Sequence, residues 1–253
     1  MRTPILALAG IAVILIVAVG AVVVLSMGGG IDEEKYRQEV RPLILSWQTQ
    51  MGLDSFECED SAGEKDSEFT AEDVAVFEGS VEALRDIRDD VAGMDTPSLY
   101  EPGVEAMGRA IAHLEAVQAD FDRLQDLVEQ TRALDYENVF SGEVPTPDEV
   151  AWVLRAGGAF AAWGSDMEAW SEFLDCSVSA DPLKVSQLRE YTEQIEIDLD
   201  ELTELRAEGP QRLLAEVEPL FQVAELATQM LGRLTDALEE QADVEEAFAD
   251  VIE

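Results

Sequence analysis

The stretch VEAMGRAIAHLEAVQADFDRLQDLVEQTRAL, residues 104–134, decides the fold class. Val104, Met107, Ile111, Leu114, Val117, Phe121, Leu124, Val128, Thr131 and Leu134 follow one another by steps of three or four. That is the period of a helix with one apolar face, not the alternation of a strand. The same stepping precedes it at Val74, Phe77, Val81, Leu84, Ile87, Val91 and Met94. It returns at Leu188, Tyr191, Ile195, Leu202 and Leu205. No convincing period-two run stands anywhere, so the chain reads as all-α.

Punctuation divides the region beyond residue 30 into about six helices, near 32–57, 70–93, 101–136, 147–175, 181–207 and 210–251. Thr70 with Asp73, and Thr146-Pro147 with Glu149, have the chemistry of helix starts. Asp95-Thr96-Pro97, Ser141 to Pro145, Asp181-Pro182 and Gly209-Pro210 mark breaks. Pro42 and Pro219 fall inside helical patterns, where a missing N–H predicts a kink or a local break.

The amino-terminal segment reads differently. No charge occurs from Pro4 to Met27, and Ile5 to Leu25 is almost unbroken Ile, Leu, Val, Ala and Gly. About 20 apolar residues span a bilayer as a helix, whereas signal-peptide cores run to roughly 7–15. A cleaved signal ending near Val19-Gly20-Ala21 is the competing reading, but Val22 to Leu25 prolongs the run past it. Residues 1–30 are therefore expected to form an uncleaved signal-anchor and a Gly28-Gly29-Gly30 stalk. Arg2 on one side and Asp32-Glu33-Glu34 on the other place the short amino terminus in the cytoplasm and the rest outside. The expected localisation is a single-pass membrane protein with an extracytoplasmic helical bundle.

That bundle is strongly acidic. The chain holds 55 Asp and Glu against 16 Lys and Arg, a formal charge of −39. Nucleic acid is not expected as a partner, because phosphate binding needs a basic footprint. Such a surface repels itself in dilute buffer and is screened at high salt, as in a salt-adapted organism.

Trp47, Met51, Phe56 and Cys58 recur at nearly constant offset as Trp163, Met167, Phe173 and Cys176. The spacing suggests two tandem three-helix units, residues 31–140 and 141–253. Cys58 and Cys176 would both follow the end of a long helix on the oxidising side of the membrane. A disulfide between them would close a loop of roughly 100 residues, worth about 4.7 kcal/mol in the chain-entropy picture. Two unpaired thiols acting as small hydrophobes are the alternative.

Trp152, Trp163 and Trp170 fall on one stripe of the fourth helix, with Met167 beside them. Helical spacing of this kind suits a core, and the aromatic and Met content also suits a partner-binding surface. Gly157, Gly158, Ala161 and Gly164 run alongside and would admit a close helix. The acidic segment from Glu57 to Glu68 lacks the EF-hand order of ligands. His113 is the only histidine, with no nucleophile elbow or di-iron Glu-x-x-His pair in the chain. No catalytic residue, cofactor or metal site is expected. The expected function is a membrane-anchored extracytoplasmic interaction or scaffold module with a protein partner. The alternative is a ligand- or cation-binding sensor or carrier using a cleft between the two halves, and an enzyme comes third.

Overall fold

A computed structural model describes residues 33–51, 71–132, 145–177 and 182–252. The described residues form α1 (Glu33–Gln50), α2 (Ala71–Ala92), α3 (Glu101–Arg132), α4 (Pro147–Ser177), α5 (Pro182–Glu208), α6 (Gln211–Ala247) and a last turn, α7 (Ala249–Ile252). The all-α expectation holds, with α7 as an addition to the six helices anticipated. The anchor segment, residues 1–30, lies outside the described residues. None of the described helices is long and apolar enough to cross a membrane.

Helix ends fall where the chain chemistry places them. At the start of α4 the Thr146 N–H donates to Glu149 Oε2 at 2.8 Å, and the Glu149 N–H donates to Thr146 Oγ1 at 3.2 Å. This reciprocal box satisfies two backbone groups that helix geometry leaves without partners. Before α6, Pro210 is extended (φ −61°, ψ 124°) and its carbonyl accepts from Leu213 and Leu214. A Cβ at Gly209 would lie 2.8 Å from Trp152 and Leu214, so only glycine lets this turn close against α4.

Of the kink or local break expected at Pro42 and Pro219, the break does not occur, since α1 and α6 each continue through their proline. Each proline withholds an N–H from the carbonyl four residues earlier, at Gln38 and Ala215. Both of those residues are exposed, so water can take the donor's place.

Pairings give the directions. Arg109 meets Glu240, His113 meets Asp236 and Asp120 meets Arg233, so α3 and α6 run antiparallel. Arg85 meets Glu115 and Phe77 meets Phe121, so α2 is antiparallel to α3. Trp163 bonds Thr228 and Trp170 bonds Thr235, which makes α4 parallel to α6. Arg206 meets Glu218 and Arg189 meets Asp236, so α5 returns antiparallel to α6. Trp47 to Gln241 and Arg37 to Asp250 lay α1 antiparallel along the last turns of α6.

The 37-residue α6 is thus about 55 Å long and touches helices on several sides. Its buried positions include Val223, Ala224, Leu226, Ala227, Met230, Leu231 and Leu234, too many for one stripe. A helix covered on several sides must be apolar around most of its circumference. One continuous hydrophobic core joins α6 to the other long helices, so the segments 31–140 and 141–253 meet along α3 and α6. Near its end, Gly103 lets α3 approach the Phe248 ring, where a Cβ would come within 2.5 Å. Phe248 stacks on Tyr100, and Tyr100 on Tyr36, with centroids 5.3 and 5.1 Å apart.

Candidate interaction face

The structure corrects the reading of the Trp stripe as a partner surface. Trp152, Trp163, Met167 and Trp170 are all buried, none more than 4% exposed. Their indole N–H groups are satisfied inside the bundle, as buried Trp requires. Trp152 donates to the Leu205 carbonyl at 2.9 Å and Trp163 to Thr228 Oγ1 at 3.0 Å. Trp170 is shared between Thr192 (3.1 Å) and Thr235 (3.3 Å), whose hydroxyls are 2.8 Å apart. These rings hold α4 to α5 and α6 and leave nothing for a partner to grip.

Sequence reasoning missed the hydroxyl partners. Thr192, not Tyr191, occupies the inward register of α5, and Tyr191 turns out to pack on Phe173 at 5.5 Å between centroids. The signal was available, because Leu188, Thr192, Ile195, Leu199 and Leu202 step by four and three.

The opposite side of α4 is the candidate site. Val150 is 41% exposed and Leu154 72% exposed, large values for apolar side chains. Gly157, Gly158, Ala161, Ala162 and Ser165 continue this face, all exposed. A Cβ at Gly157 or Gly158 would meet nothing within 4 Å, so no other described part of the chain lies over them. Between Glu149 and Asp166 the single charged residue is Arg155, in a chain where 28% of residues are charged. Arg155 pairs with Glu208 at 3.6 Å, with both side chains more than half exposed. A contact of that kind contributes little.

Acidic groups lie on the flanks of α4 that meet the bundle. Glu149 closes its first turn, where the Thr146 backbone and hydroxyl hydrogen bonds and Arg212 hold its carboxyl below the usual range. Toward α5, Asp166 faces Asp198, which is only 8% exposed. Burial first, and the Asp166 carboxyl next, push Asp198 above the ordinary aspartate value, against a weak hydrogen bond from Gln194 at 3.4 Å.

The remaining candidates fall elsewhere. Cys58 and the Glu57–Glu68 segment lie outside the described residues, as does the Cys176 side chain at the end of α4. His113 Nδ1 faces Asp236 Oδ2 at 3.7 Å, and Arg189 of α5 grips the same carboxylate. Among the described residues no group of three or more His, Cys, Asp or Glu is placed to hold a metal ion. An open groove of about 550 Å³ between α2 and α3 is lined by Ala92, Val104, Gly108 and Ala112 and by the charged side chains of Arg88, Glu105 and Arg109, the two arginines being paired with Asp89 and with Glu240. Comparisons with protein-family models, curated proteins and solved structures find no match.

Proposed function

We propose that this chain is a membrane-anchored, extracytoplasmic helical module that binds a protein partner through the outer face of α4. The observation that carries the reading is that face, apolar and nearly uncharged on a molecule with formal charge −39. A strongly acidic surface keeps most neighbours away, and contact is least opposed where the charge thins. The rigid bundle behind α4 presents the face without further ordering, which lowers the entropy cost of association. The apolar run from Ile5 to Leu25 supports the anchor, and the glycines after it supply a flexible tether.

The test is a photo-crosslinking residue placed at Leu154 in the full chain in its own membranes, with Asp122 on the exposed side of α3 as control. Crosslinking to protein at Leu154 and none at Asp122 is the expected outcome. Equal labelling at both sites, or none at either, would remove α4 as the interaction face.

A further inference from the structure

α4 and α5 run antiparallel, and their contacts fix the register of the seam between them. Trp152 bonds the Leu205 carbonyl, Arg155 meets Glu208 and Trp170 bonds Thr192. That register sets Asp166 level with Asp198, and the two carboxyls face each other across the seam. Asp198 is the one carboxyl among the buried residues described, at 8% exposed, and its Oδ2 has no hydrogen-bond partner. Gln194, one turn away on α5, reaches only the other oxygen, at 3.4 Å. Glu201, also on α5, adds a further negative charge. The arginines along the seam are engaged elsewhere: Arg155 by Glu208, Arg189 by Asp236 and Glu239 of α6, and Arg206 by Glu218 and Glu225 of α6. A buried carboxylate opposite a second carboxylate is unfavourable unless a proton or a cation lies between them.

We propose that Asp166 and Asp198 bind a hard divalent cation, calcium or magnesium, in the α4–α5 seam. The donors are oxygens only, which select hard cations over zinc-like ions. Two carboxylates with Glu201 beside them match a doubly charged ion better than a monovalent one. Asp198 Oδ2 is the inner ligand and the half-buried Asp166 the outer one. Gln194, by turning its amide, adds a carbonyl oxygen. Two carboxylates fall short of a closed protein cage, so water completes the shell. Ala162 and Ala169, one turn to either side of Asp166 on α4, leave room for that water. A chain of formal charge −39 gathers cations all over its surface, and burial is what sets this site apart. The bound ion turns a contact between like charges into a clamp between α4 and α5. The ion competes with the proton that burial and Asp166 favour on Asp198, so binding weakens as pH falls. The outer face of α4 and its interaction role are not involved.

Calorimetric titration of the chelator-treated full chain in detergent micelles tests this, with calcium chloride in one arm and magnesium chloride in the other. Sodium chloride holds the ionic strength constant, and thermal melts accompany each arm. At neutral pH one or both ions should bind and raise the melting temperature, and the arm that responds names the ion. Asp198→Asn and Asp166→Asn should each weaken this binding at least tenfold and remove the rise. Both variants relieve like-charge repulsion, so they should fold, as circular dichroism will show. Glu204→Gln, at an exposed carboxylate of α5, should leave binding unchanged. An equal response in wild type and Asp198→Asn would reduce the effect to surface screening and overturn the proposal. A melting temperature that responds to pH but to neither ion would mean that the pair holds a proton alone, and would overturn it as well.

Discussion

α4 and α6 both carry sparsely charged middles, and the reasons differ. In α6 the run from Leu226 to Gly232 is uncharged because α3, α4 and α5 surround it. In α4 the Trp side is covered in the same way, while Leu154, Gly157 and Gly158 face outward with nothing of the described chain over them. Low charge therefore has two meanings in one molecule: completed packing in α6, and a surface left open in the outer half of α4. Burial of the first is already part of the fold's stability. Burial of the second is available to a partner.

The largest effect should come from the covered side. Trp170→Ala or Trp163→Ala should each cost about 3–5 kcal/mol in urea unfolding, whereas Leu154→Ala should stay within about 0.5 kcal/mol. Equal costs on the two sides would break the comparison. Next comes Gly103→Ala, which forces a methyl group against the buried Phe248 ring and should cost about 1–3 kcal/mol in the same measurement. An unchanged midpoint would mean that the end of α6 moves freely.

Thr235→Val should cost about 1 kcal/mol, because it removes the hydroxyl shared by Trp170 and Thr192. Thr203, exposed on α5, is the control, and a Val there should be silent. Gly158→Ala should act in the opposite direction. In an exposed helix interior it should stabilise by about 0.5–1 kcal/mol, and a loss instead would show that the outer face is already covered.

The smallest effect is a slope with pH. The folded-state value of Asp198 is raised above the ordinary aspartate value by burial and by Asp166. The unfolded chain therefore gives up this proton first, and stability falls as pH rises from about 3.8 through the raised value. Asp198→Asn should flatten that slope and leave the fold more stable at neutral pH. Glu149 has the opposite sign: its lowered value contributes stability above the unfolded value that is lost as pH falls. Thermal melts of the two single variants, Asp198→Asn and Glu149→Gln, across pH 3–7 should separate these trends.

Much of the fold was legible in the sequence, since steps of three and four are local and each stripe names its own inward face. The capping box at Thr146 and Glu149 was legible for the same reason, as both partners sit within one turn. The candidate face was half legible. Gly157, Gly158 and Ala161 stood out as a small-residue seam, but small residues suit tight packing and open surface equally. The Trp stripe was open to both readings because a periodic pattern shows that a helix has an apolar side without showing what lies against it. Asp198 could be read as part of a stripe through Ile195 and Leu202, yet nothing local places Asp166 beside it.

By itself the sequence determined the helical class, the helix boundaries near Pro97, Pro147, Pro182 and Pro210, and the acidic surface. These depend on neighbours a few residues apart and on composition. Only the tertiary structure decided that α6 runs through the middle, that α4 lies parallel to it, and that the Trp side of α4 is closed while its other side is open. Those outcomes depend on residues far apart in the chain, such as Trp163 with Thr228 and Arg109 with Glu240, and a pairing of that kind exists only once the helices have packed.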